Sequence, residues 1–140
     1  MLDIESLAVD PTAAEEGTWA NFMGARFLIA RLNNDKAIQL RSKLALENWD
    51  ELTAGGEKAE ELSAKIDAQV LAEAVLLDWE GITAGGKEVK YSPKIGMKYL
   101  ADPRFRDLVQ FIQNYAVNRA NYREKAEQEV TESVKDSAAS

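Results

Sequence analysis

Between Glu57 and Glu80 the apolar residues Leu62, Ile66, Val70, Ala74 and Leu77 recur every three or four positions, and Leu71 and Val75 widen the same stripe. That period matches the 3.6-residue turn of an α-helix, so a long amphipathic helix is the first constraint on any fold of this chain. Gly81 follows as a natural C-terminal stop, and the spacing therefore predicts a helix over 57–80. Such a stripe is stable only when other elements cover it.

The covering elements are announced by their caps. Asn33-Asn34-Asp35 offers N-cap residues before Ile38, Arg41, Leu44 and Ala45, which predicts a helix over 34–49. Ser92-Pro93 and Asp102-Pro103 each read as an N-cap followed by a first helical residue. The first opens a short helix over 93–101 and the second a longer one over 103–126, carrying Phe105, Leu108, Ile112, Tyr115 and Tyr122. Ahead of them, Trp19, Phe22, Phe27, Leu28 and Ile29 flank Met23-Gly24-Ala25, a composition that predicts a small β-hairpin over 18–31. Residues 81–91, with Gly85-Gly86, suggest an exposed loop or a second small hairpin.

The ends read differently. Residues 1–16 carry Asp3, Glu5, Asp10, Glu15 and Glu16 with no Lys or Arg, and Pro11 interrupts any early helix, so an acidic, mobile or loosely attached lead is expected. Beyond Tyr122 apolar residues thin out, and residues 127–140 are expected to form a flexible polar tail. The expected fold class is mainly α: a compact four-helix domain over 17–126 with a small N-terminal β-hairpin and a flexible polar C-terminal tail. At 140 residues the chain supports one such domain and not two.

Composition then narrows the function. The chain has no cysteine and no histidine, which removes disulfides, thiolate nucleophiles, the common zinc sites and imidazole-based triads. Carboxylate chemistry stays open, yet Asp78 and Glu80, with Glu73 nearby, are two apart and would point to different sides of the expected helix, and Glu15-Glu16 and Glu60-Glu61 have no matching second cluster. These read as solvated faces, so no enzyme activity, metal or cofactor is expected. Gly55-Gly56 and Gly85-Gly86-Lys87 lack the spacing of a phosphate loop and read as turns.

A net charge of −7 disfavours nucleic acid and anionic lipid as partners. No apolar run is long enough to cross a bilayer, and the acidic start does not resemble a secretory signal, so a cytoplasmic protein is expected. Two segments are locally basic, 26–43 and 87–106, and they suit intramolecular pairing or an acidic protein partner. Trp19, Trp49 and Trp79 fall in three separate elements. A chain of this size is expected to bury two of them with a third at a margin, and closing the core is their ordinary role. The hairpin holds more large apolar surface than so short an element can hide, which makes Trp19, Phe22 and Phe27 the candidate partner-binding residues.

One resemblance covers nearly the whole chain after the first dozen residues. The blocks Phe27-Leu28-Ile29-Ala30-Arg31-Leu32-Asn33-Asn34, Ala72-Glu73-Ala74-Val75-Leu76-Leu77-Asp78-Trp79-Glu80-Gly81, Tyr91-Ser92-Pro93, Leu100-Ala101-Asp102-Pro103-Arg104-Phe105-Arg106-Asp107 and Asn118-Arg119-Ala120-Asn121-Tyr122-Arg123 occur in that order. Together they resemble a tail assembly chaperone of long-tailed bacteriophages. The resemblance implies a protein that binds the tape measure protein, keeps it soluble, and helps recruit tail tube protein around it. It also implies action in the host cytoplasm, absence from the mature virion, and possible homo-oligomers. The alternative is a structural virion protein such as a connector or tail accessory protein.

The stripes predict a core built on Leu62, Ile66, Val70, Ala74, Phe105, Leu108 and Ile112. Ile66→Ala or Ile112→Ala is expected to lower stability by about 2–5 kcal/mol, read from urea denaturation. A loss below ~0.5 kcal/mol would place that side chain at the surface.

Overall fold

The computed structural model describes residues 1–123. Among these, the chain forms six α-helices and two antiparallel sheets, which corrects the expectation of a four-helix domain with a single hairpin. A one-turn 3-10 helix over Ile4–Leu7 precedes α1 (Pro11–Glu16), β1 (Thr18–Phe22) and β2 (Ala25–Ile29). Next come α2 (Asp35–Glu47), α3 (Trp49–Ala54) and α4 (Glu57–Val70), a π-helical turn over Leu71–Val75, and β3 (Leu76–Glu80). The short strands β4 (Thr83–Ala84) and β5 (Lys87–Glu88) lead to α5 (Pro93–Leu100) and α6 (Arg106–Val117), the latter flanked by 3-10 turns over Pro103–Phe105 and Arg119–Tyr122.

The hairpin forms where its turn chemistry directs. Met23 and Gly24 both have positive φ, 51° and 85°, the pattern of the two-residue turn whose twist matches the strands it joins. β1 pairs antiparallel with β2, and β2 pairs antiparallel with β3, giving the order β1-β2-β3 with an irregularity at Leu28/Ile29.

β3 is the main departure from the expected pattern. The helix predicted over 57–80 stops at Val75, and residues 76–80 become the third strand. Leu71 to Leu77 is almost wholly apolar, so either period fits it; in the strand, alternation places Trp79 inside and Asp78 and Glu80 outside, and the irregularity opposite Leu28/Ile29, where Leu77 is the extra residue, brings Leu76 inside as well. Asp78 and Glu80 accordingly share one face, where the helical reading had set them apart.

The helix end is held by donors distant in sequence. The N–H of Leu76 reaches back to Leu71 O, the five-residue bond of a π turn. The carbonyls beyond it are taken by the Tyr91 hydroxyl at Ala72, the Asn34 amide at Ala74 (2.8 Å) and the Ala30 N–H at Val75 (2.8 Å). Asn34 is 4% exposed, and its side chain also donates to Arg31 O and accepts from the N–H of Ala37, capping α2.

Two other predicted helices are shorter than expected. The one over 34–49 breaks at Asn48, whose amide donates to Leu44 O, so α2 and α3 are separate. The one over 103–126 is helical only over 106–117, because Asn118 is extended and its side chain caps the following 3-10 turn. Its predicted end beyond Arg123, and the expected tail over 127–140, lie outside the described residues.

The second half of the acidic lead packs on the domain. Ala14 is buried, its carbonyl accepts from Arg31 N–H, and the Glu15 carboxylate accepts from Asp35 N–H. Gly17 ends α1 with φ of 82°, and a Cβ there would lie 3.0 Å from the Ile29 carbonyl carbon, so a larger residue would collide with β2.

The core lies between the inner face of the sheet and the helices. Ile66, Val70, Ala74 and Ile112 are buried as expected from the stripes, while Leu62, Phe105 and Leu108 are half-buried. On the sheet side, Phe22 stacks on Phe111 of α6 at 4.3 Å, and Phe27 meets the same ring edge-on at 5.9 Å.

Asn34→Ala removes the α2 cap and strands Ala74 O, so a loss of about 2–4 kcal/mol is expected in urea denaturation. Asn34→Asp keeps the cap acceptor but faces two carbonyls with no donor, and is expected to recover little of that loss. Full recovery by Asp would show that the cap alone matters.

Candidate partner-binding cleft

The three hairpin aromatics do not form one surface. Strand alternation sends Trp19 to the outer face of the sheet, opposite Leu28, while Phe27 lies on the inner face opposite Ala20 and Trp79. Phe27 is 2% exposed, and Phe22 is half-buried and stacks on Phe111. Trp19 is 37% exposed, with the Arg26 guanidinium 4.4 Å above its ring. Arg26 in turn reaches Glu80 at 3.3 Å across the outer face.

The three tryptophans also divide otherwise than expected. Only Trp79 is buried, while Trp19 and Trp49 are exposed. Ile38 and Leu46 are exposed on one side of α2, two turns apart with Ser42 between them, and Trp49 is exposed at the first position of α3, beyond the break at Asn48. Around Trp49 stand Glu47, Asp50 and Glu51, which line a shallow hollow with Leu46.

A different apolar opening lies where β3, the β4–β5 hairpin and α6 meet. Phe27, Trp79, Ile82, Thr83, Ala84, Tyr99, Phe105 and Leu108 line a cleft of about 380 Å³. Trp79 forms its floor with Phe27, the two rings meeting edge-on at 6.3 Å. The indole N–H donates to Val89 O at 2.8 Å, which satisfies the one polar atom of that side chain. Tyr91 packs against the other side of Trp79 at 4.9 Å, and Tyr99 packs edge-on against Phe105 at 5.1 Å to make one wall.

Tyr91 itself is fixed from two directions. Its ring occupies the space that a Cβ on Gly96 would fill, at 2.5–2.9 Å, so only glycine fits at that point of α5. Its hydroxyl donates to Ala72 O, and burial, with smaller contributions from Glu73 and Asp78, pushes its pKa above the ordinary tyrosine value.

The rim carries both signs, with cations in the majority: Lys98 Nζ lies 5.4 Å above the Tyr99 ring, Arg104 Cζ lies 5.6 Å above Phe105, and across the β4–β5 hairpin Lys87 pairs with Ala84 and Glu88 with Thr83. Arg104 grips Asp102 at 2.7 Å, and hydrogen bonds from Arg104 hold the Asp102 carboxyl below its usual pKa. Residues 87–106 carry six Lys or Arg against Glu88 and Asp102. An apolar hollow with this rim can seat one or two large side chains from a protein segment that also carries carboxylates.

Of the candidate residues read from the sequence, only Phe27 belongs to the cleft. Trp79, Ile82, Tyr99, Phe105 and Leu108 carried a signal in their apolar character, but their convergence depends on the strand at 76–80. Among the described residues no group of three or more acidic side chains converges where a metal ion could be held, and no helix is long and apolar enough to cross a membrane.

No curated protein and no solved structure matches the chain. A family model described as YdaY prophage protein matches residues 32–133, a span that includes α2 through α6 and every cleft residue except Phe27. The description carries a phage origin and no role in tail assembly. Because the match covers well over half of its length, the chain belongs to the YdaY prophage protein family.

Proposed function

We propose that this phage protein is a tail assembly chaperone that seats a helical segment of the tape measure protein in the Trp79–Leu108 cleft. In this reading it keeps the client soluble and promotes tail tube assembly in the host cytoplasm, without entering the finished virion and without catalysing a reaction. The observation that carries it is the cleft itself: an open apolar hollow with a mainly cationic rim, on a chain whose net charge is −7. Its volume lies near the lower end for small-molecule sites, which suits an anchoring side chain better than a bulky cofactor. A long helical client exposes apolar stripes before assembly, and covering them while contributing negative charge to the complex opposes aggregation.

The phage family and the resemblance of the sequence blocks support the same reading. Exposed Leu46 at the end of α2 and Trp49 at the start of α3 supply a second contact surface, which suits the recruitment of tail tube subunits while the cleft is occupied.

Coexpression with the tape measure protein tests this directly. The wild-type chain is expected to raise the soluble fraction of the client. Phe105→Ala with Leu108→Ala should weaken binding by about tenfold or more, equivalent to at least ~1.4 kcal/mol, with helicity retained by circular dichroism. Trp19→Ala, on the opposite face of the sheet, should leave the rescue intact. Failure to bind or solubilise the client, together with a fixed copy number in purified tails, would replace the chaperone by a structural virion protein.

A further inference from the structure

Residues 1–8 are all exposed, and Leu2 and Ile4 are 70% and 75% exposed. This is an unusual place to leave large aliphatic side chains, because the segment is not merely unstructured chain. Asp3 caps a 3-10 turn by accepting from Glu5 N–H at 3.1 Å, and Ser6 Oγ donates back to Asp3 O at 2.6 Å. In a 3-10 turn residues three apart eclipse one another, so Ile4 and Leu7 form one apolar ridge with Asp3 and Glu5 beside it. The ridge is preformed, which lowers the ordering cost of docking it.

Two apolar surfaces on the body are open to such a ridge, and charge separates them. Leu46 and Trp49 stand among Glu47, Asp50 and Glu51, which repel an acidic segment. The Trp79–Leu108 cleft is bordered by Lys87 and Lys98, which attract one; Arg104 beside it is held by Asp102 and Glu88 stands opposite Thr83, yet residues 87–106 as a whole carry six Lys or Arg against those two carboxylates. Between residues 2 and 16 the chain has five carboxylates and no cation. Ridge and cleft are complementary in both polarity and sign.

The arm also leaves the body far from its own cleft. Asp10 N–H is bonded to Tyr122 O, and Tyr122 packs on Tyr115 in the last turn of α6, whereas Phe105 and Leu108 sit at the start of that helix. The 12 residues of α6 put roughly 18 Å between those ends. Among the described residues, the hydrogen bonds of the arm before Asp10 are all local.

We propose that the Ile4–Leu7 ridge of one copy docks in the Trp79–Leu108 cleft of a second copy, so that the protein shields its own client site until a client displaces the arm. The proposal rests on the reading of that cleft as the client site. The contact joins two different patches, so it either closes as a mutual exchange between two copies or continues head to tail. In both cases the arm and the client compete for one cleft, and the acidic arm makes self-association weaken as salt rises.

Sedimentation over a range of protein concentrations, with the wild type and an Ile4→Asp, Leu7→Asp double variant, tests the contact. Both substituted residues are exposed, so the double variant should retain wild-type helicity while sedimenting as a monomer; the wild type should associate. A labelled peptide of residues 1–9 should bind the double variant, and adding Lys87→Glu with Lys98→Glu should weaken that binding about tenfold. Tape measure protein should bind the double variant more tightly than the wild type.

A wild type that stays monomeric, an association that survives the double substitution, or a peptide affinity unmoved at Lys87 and Lys98 overturns the arm exchange. Arm exchange that is intact in a protein unable to bind the tape measure protein supports this contact and overturns the functional reading alone.

Discussion

The fold turns on how α4 is brought to a stop. A helix leaves its last carbonyls without intrahelical partners, and inside a core those groups must find donors elsewhere. Here the donors are Tyr91 at Ala72, Asn34 at Ala74 and Ala30 at Val75, each from a different part of the chain. Together they join the end of β2, the start of α2 and the approach to α5 to a single turn of backbone. Without them, continuing the helix through 76–80 would satisfy the same carbonyls locally, and the third strand would have no reason to form.

This explains which parts of the structure could be read in advance. The hairpin over 18–31, the Ser92-Pro93 start of α5 and the N-cap of α2 are specified by neighbours in sequence, and each appears close to its expected place. The strand at 76–80 depends on partners some 50 residues away, and its apolar run fits both periods, so local reasoning extended the helix through it. Asn48 and Asn118 ended helices by bonding their side chains to nearby backbone, a competition that asparagine offers anywhere and that only packing decides. The sequence blocks that carried the resemblance gave no indication of a cleft.

The same strand makes the cleft. It sets Trp79 beside Phe27 on the inner face and turns the chain at Gly81, so that Ile82 and the β4–β5 hairpin stand over the opening. Were residues 76–80 helical, Trp79 would have no register with Phe27. Choosing Trp19, Phe22 and Phe27 from the sequence treated a hairpin as one surface, although its alternation divides the three between two faces. The half-buried Tyr99, Phe105 and Leu108 are the counterpart: they are incompletely covered because they line the open cleft.

The tyrosines set the conditions under which this arrangement persists. Tyr91 and Tyr122 donate their hydroxyl protons to the Ala72 and Ile29 carbonyls, Tyr115 shares a 2.6 Å hydrogen bond with Thr18, and burial raises all three pKa values. A phenol whose folded pKa lies above its unfolded one adds stability below about pH 10, and that stability is lost as pH climbs toward the folded value. At the acid end, the lowered pKa of Asp102 works in the opposite sense, with its contribution lost as the carboxylate is protonated. With no histidine or cysteine in the chain, no side chain has an ordinary pKa between the carboxylates and the lysines and phenols. The folded state should therefore be insensitive to proton concentration throughout the neutral range and yield only at its two extremes.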